Sequence, residues 1–164
     1  MLRPASLVVC LLFFLQTNAQ DSTSFYLQKV VIEMKNNFQG LKGQLFESDS
    51  TKGKKYFSLI TIPGTSDNTI EVDKWAYSYF SIIKDSMSQN QAERIVDKWY
   101  KIIESSTRSG FKINKLTRRS NVMMNYMYGW SFDNNEYSII ISSYQSILNP
   151  KMYGVSLNFI NPLD

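Results

Sequence analysis

Residues 121–144, NVMMNYMYGWSFDNNEYSIIISSY, hold two strand-like runs on either side of a turn, and their side chains sort onto two faces. Asn134-Asn135 read as a two-residue loop, which suits a primed turn because asparagine tolerates positive φ. That loop pairs Phe132 with Tyr137, Trp130 with Ile139 and Tyr128 with Ile141. Side chains alternate along a strand, so Met124, Tyr126, Tyr128, Trp130 and Phe132 share one face, where aromatic and β-branched cross-strand pairs each add roughly 0.2–1 kcal/mol. Such a face needs a core. The opposite face sets Asn125, Met127, Gly129 and Ser131 against Tyr144, Ser142, Ile140 and Ser138. With Met127, Ile140 and Tyr144 as its apolar points and Ser142 among its small groups, it is a candidate binding surface, because flat Ser- and Gly-rich strands let another chain approach closely. The expected occupant is a protein partner or a second copy forming a homodimer.

Working outward, Leu27, Val30, Val31, Met34, Phe38 and Leu41 recur at helical spacing, and Gly40 is placed to close that helix in a left-handed conformation. Leu41 to Glu47 and Lys55 to Ile62 read as strands, and Thr65 to Thr69 as a polar loop after Pro63-Gly64. The run over 70–84 fits helix or strand by period; its density of aromatic and β-branched residues favours one strand. Ser88-Gln89-Asn90-Gln91 has the form of a capping box, and Ala92, Ile95, Val96, Trp99 and Ile103 line one face of the helix it opens. On the other face Asp97 and Lys101 attract at i, i+4. Phe111 to Thr117 reads as a strand before the hairpin, and Met152 to Ile160 as the last strand. The order α-βββ-α-ββββ predicts an α+β fold, with two helices on one face of an antiparallel sheet of about seven strands. Gly40-Leu41-Lys42 and Gly110-Phe111-Lys112 follow the two helices alike, so an internal duplication is the competing description, although agreement beyond those runs is poor.

Arg3, the apolar run Leu7 to Leu15 and the small residues before Gln20 read as a secretory signal over 1–19, with a single α+β domain over 20–164. A transmembrane anchor is the weaker reading, since nine apolar residues rise only about 14 Å as a helix against a hydrocarbon core about 30 Å thick. Lipidation at Cys10 is disfavoured by bulky Val9. Removing Cys10 with the signal leaves a chain without disulfides, and no Asn-x-Ser/Thr site occurs; both absences suit a bacterial envelope or periplasmic protein.

The chain has no histidine, which excludes Ser-His-Asp and Cys-His catalysis. It leaves only oxygen ligands for a metal, and no calcium-loop spacing is present, so no metal and no cofactor is expected. Two Ser-x-x-Lys matches, Ser81 to Lys84 and Ser109 to Lys112, lie in strand-like or loop settings and read as chance. No catalytic residue is assigned. A carboxylate pair brought together by folding would permit a glycan hydrolase.

Lys112, Lys115, Arg118 and Arg119, with Arg108 just before them, form the strongest charge cluster, and no acid occurs between Glu104 and Asp133. Protection of a sheet edge is the simpler role; weak contact with an anionic glycan or phospholipid is the functional one. The net charge of +4, one less without Arg3, is too small to argue for nucleic acid. The sequence therefore points to an exported, periplasmic or secreted, non-enzymatic binding or interaction module. A carrier of a lipid or other apolar ligand and a carboxylate-dependent glycan hydrolase are the alternatives.

Overall fold

The computed structural model describes residues 22–107, 110–119 and 126–163, and for Arg118, Arg119 and Tyr126 the backbone alone. The expected signal over 1–19, Arg108, and Met124 and Asn125 of the hairpin lie outside these residues. Helix α1 covers 22–34 and buries Leu27, Val30 and Met34 at spacings of three and four. It does not end through Gly40. Asn37 and Phe38 take the left-handed turn at φ 54° and 56°, and Phe38 is held there with its ring fully buried, 6.4 Å from that of Tyr79. Gly40 instead donates its N–H to the Glu33 carboxylate at 3.0 Å, so close that a Cβ would sit 2.8 Å from that oxygen.

Four strands follow, β1 Lys42–Asp49, β2 Gly53–Ser58, β3 Ser66–Val72 and β4 Ala76–Met87, then helix α2 Gln89–Ser106. Another four complete the fold, β5 Lys112–Arg119, β6 Tyr126–Asp133, β7 Ser138–Gln145 and β8 Tyr153–Pro162. The sheet is antiparallel and has eight strands in the order β1-β2-β3-β4-β8-β7-β6-β5. The extra strand comes from the run over 70–84, which is two strands and not one. The chain reverses at Asp73, whose carboxylate accepts the N–H groups of Trp75 at 2.6 Å and Ala76 at 2.8 Å. An Asx turn of this kind needs no glycine or proline, and the stretch expected to be a polar loop becomes most of β3. Each half of the chain is thus a helix followed by a four-stranded meander, and the halves join through their last strands. Lys42 and Lys112, the matched positions after the two helices, begin the two edge strands.

The β6–β7 hairpin keeps its faces but not its register. Phe132 pairs with Ile139, Trp130 with Ile141 and Tyr128 with Ser143, so four residues, Asn134 to Tyr137, turn the chain. Neither asparagine has positive φ. The Asn134 side chain accepts the N–H groups of Glu136 at 2.8 Å and Tyr137 at 2.7 Å, an Asx turn in place of the primed one. Because the register moved by two, every described side chain stays on its predicted side.

One row of the core, Tyr56, Ile70, Tyr79, Phe159, Ile139 and Phe132, runs across the sheet on the helix side. Helix α2 opens with the expected capping box, Gln91 accepting the Ser88 N–H at 3.1 Å, and buries Ala92, Val96, Trp99 and Ile103. It packs on β6, β7 and β8, with the Tyr100 ring 4.4 Å from Trp130 and 5.7 Å from Phe132. The expected Asp97–Lys101 attraction is not an ion pair; Asp97 accepts the Tyr128 hydroxyl at 2.7 Å instead. The two helices meet where the hydroxyls of Ser24 and Ser106 lie 2.8 Å apart. The far end of α1 is tied to β8 by Asn161, which donates to the Met34 carbonyl at 2.9 Å.

Candidate functional site

Both helices lie on one side of the sheet, and no described element lies over the other. Directly opposed residues of an antiparallel ladder share a face, so alternation fixes the contents of the helix-free side in every strand. One row reads Phe57, Thr69, Phe80, Asn158, Ile140, Ser131. The next reads Ile82, Ser156, Ser142, Gly129 and Leu116, and beyond it Gly154, Tyr144 and Met127. All four residues expected there, Met127, Ile140, Ser142 and Tyr144, are on this face. Their partners differ by the register change: Met127 opposes Tyr144, Gly129 opposes Ser142 and Ser131 opposes Ile140.

Small groups sit low between tall ones. Ser131, Ser142 and Ser156 are buried with nothing above them, because Met127, Ile140 and Tyr144 stand around them half-exposed. A Cβ on Gly129 would lie 2.7 Å from that of Ser142, so the glycine is required by close approach of the backbones. At Gly154 a Cβ would meet the Tyr144 ring, 2.8 Å from its Cε2 and closer still to Cζ. Burial raises the Tyr144 hydroxyl above its ordinary pKa, and the charges of Asp85 and Asp67 raise it further. Asp85 and Asp67 are both exposed.

The two halves of the face differ in relief. Phe46 and Phe57, stacked at 4.4 Å and 43% and 52% exposed, stand with Phe80 and Ile82 on the β1–β4 half. Gly129, Ser131, Ser142, Gly154 and Ser156 occupy the β5–β8 half. Several charges here are engaged within the face. Lys55 lies between Glu71 at 3.3 Å and Glu47 at 3.7 Å, and Asp133 accepts from Ser131 and Ser138 at 2.7 Å and from Asn114 at 2.9 Å. Burial pushes the Asp133 carboxyl up, but these hydrogen bonds and the charge of Lys112 outweigh it and hold it below its ordinary value.

Comparisons with protein-family models, curated proteins and solved structures find no match.

Lys112 and Lys115 of the basic cluster lie on different sides of the sheet. Their strand, β5, is an edge of the sheet, and successive residues point to opposite sides. Lys112 is on the helix-free side, in line with Asp133. Lys115 is on the helix side, its ammonium 5.2 Å from the centre of the Tyr128 ring and 5.5 Å from that of Trp130. Arg118 and Arg119 pair through their backbones with Met127 and Tyr126. No helix of the described residues is long and apolar enough to cross a membrane.

Sequence reasoning missed Phe46, Phe57, Phe80, Ile82 and Ile160 as members of the same face. The signal was present as alternation within each strand. It could not be connected across the sheet while the turn at Asp73 was unrecognised, because one strand too few reverses the partners of every strand before it.

Proposed function

We propose that this chain is an exported, non-enzymatic interaction module of the bacterial envelope or periplasm that works through the helix-free face of its sheet, and that a second copy of the chain is its occupant. The observation that carries this reading is the unequal relief of that face. Stacked sheets pack about 10 Å apart with interdigitating side chains. A twofold axis at the middle of the sheet would set the Phe46, Phe57 and Phe80 half of one copy over the Gly129, Ser142 and Ser156 half of the other. Such an arrangement is isologous and uses each patch twice. Contact of the β5 lysines and arginines with an anionic glycan or phospholipid is a subsidiary proposal, weakened by the split of Lys112 and Lys115 between two faces.

Sedimentation equilibrium tests the reading. The purified protein should form dimers, and Ile140→Lys should return it to a monomer while its circular dichroism spectrum stays unchanged. A wild-type protein that remains monomeric at high micromolar concentration would overturn the dimer, as would an Ile140→Lys variant that dimerises equally well.

A further inference from the structure

A groove of about 970 Å³ opens on the helix side, away from the helix-free face of the sheet. It is bounded by one flank of α2, Pro63-Gly64 after β2, the end of β4 and Thr23 in the first turn of α1. Its floor is apolar, made by Pro63, Ile83, Ile95, Trp99 and Ile102. Gly64, at φ 85°, passes the Trp99 ring so closely that a Cβ there would touch Cζ2 at 3.6 Å.

The rim carries Lys84, Arg94, Lys98 and Lys101 against one acid, Asp97. That acid is already engaged, accepting the Tyr128 hydroxyl at 2.7 Å and approached by the Trp130 ring N–H at 3.4 Å. Among the described residues the ion pairs within 4 Å are those of Lys55, so none of the four rim cations is neutralised in that way. Arg94, Lys98 and Lys101 share a flank because they recur every three to four residues of a helix. Lys84 reaches the groove through a defect in the strand. The β4–β8 register slips between Ile82↔Ser156 and Lys84↔Val155. Strict alternation would send Lys84 to the helix-free side; the slip puts it opposite Val155, a core residue, so Ile83 and Lys84 both serve the groove.

We propose that this groove binds an amphiphile with an anionic head and an apolar body. The body lies over Trp99, Ile95 and Ile83, where removing apolar surface from water favours binding. The head sits between Lys84 and the Arg94–Lys98–Lys101 stripe, whose aliphatic stems lie along the floor while their charges stay in water. The volume lies within the range of about 300–1,000 Å³ usual for small-molecule sites. A neutral ligand would leave the cations uncompensated, and a cationic one would be repelled.

Isothermal titration calorimetry with laurate below its micelle concentration, with dodecanol and dodecyltrimethylammonium as neutral and cationic probes, tests this. Laurate should bind roughly tenfold or more tightly than either, and the triple variant Lys84→Glu, Arg94→Glu, Lys98→Glu should lose that advantage. All three positions are exposed, so the variant should fold; if its circular dichroism spectrum changes, the glutamine versions decide in its place. Ile140→Lys, on the other face, should leave laurate affinity unchanged. The proposal is overturned if laurate gives no binding heat, if dodecanol binds as well, or if neutralising the rim has no effect. Loss of laurate binding in Ile140→Lys would also overturn it, by moving the ligand to the helix-free face.

Discussion

Tyr79 shows how one side chain couples the fold to solvent conditions. Its ring is fully buried between Phe38 and Phe159, and its hydroxyl donates to Asn68 Oδ1 at 2.7 Å with the Ile60 carbonyl 3.2 Å away. Burial is the main cause that pushes its pKa up to about 12. In the unfolded chain the phenol would ionise near pH 10, so above that pH the unfolded state binds fewer protons than the folded one. The stability this group contributes is therefore complete below pH 10 and is lost between pH 10 and 12, by at most about 1.4 kcal/mol per pH unit. Urea midpoints measured from pH 8 to 11.5 should fall steeply above 10. Tyr79→Phe should cost about 0.5–1.5 kcal/mol at neutral pH but flatten that fall. Identical alkaline slopes for the two proteins would show that Tyr79 does not carry the effect.

At the scale of elements, β6 is covered unevenly by α2. Phe132 is fully buried, while Trp130, one alternation away, remains partly exposed, with the Tyr100 ring against it and the Lys115 ammonium over its ring. Phe132→Ala should cost about 3–5 kcal/mol, a large share of the roughly 5–15 kcal/mol of a typical domain, and Trp130→Ala should cost measurably less. Chemical denaturation of both variants checks the order; a larger loss at Trp130 would mean that α2 sits closer to β5 than described. Both helices, the capping box at Ser88 and the two faces of the β6–β7 hairpin were legible in the sequence, because each rests on periodicity or a local hydrogen bond. The turns at Asp73 and Asn134 were harder to read. Each depends on one side-chain carboxylate or amide collecting two backbone N–H groups, and Asp73-Lys74-Trp75 carries none of the glycine or proline that marks a reversal. The groove was illegible for a different reason: the cations on its rim come from a helix and from a slipped strand, and neither the slip nor the approach of Pro63-Gly64 has a local signature.

For the whole molecule the decisive feature is that β8 lies between β4 and β7. Its ladder with β4 runs from Ala76↔Pro162 to Met87↔Tyr153, joining segments separated by α2 and three strands. Val155, Leu157 and Phe159, all fully buried, stand where the two meanders meet. A chain ending at Met152 should therefore lose cooperative unfolding and near-ultraviolet circular dichroism altogether; a truncated chain that still unfolds sharply would show that one meander is stable alone. Contacts this distant along the chain make folding slow, and they also fix its timing. During synthesis the ribosome must release Pro162 before the central ladder can close, so the nascent chain has no finished sheet at any earlier moment. For a protein that we propose is exported, late closure keeps the polypeptide threadable until β8 has been made.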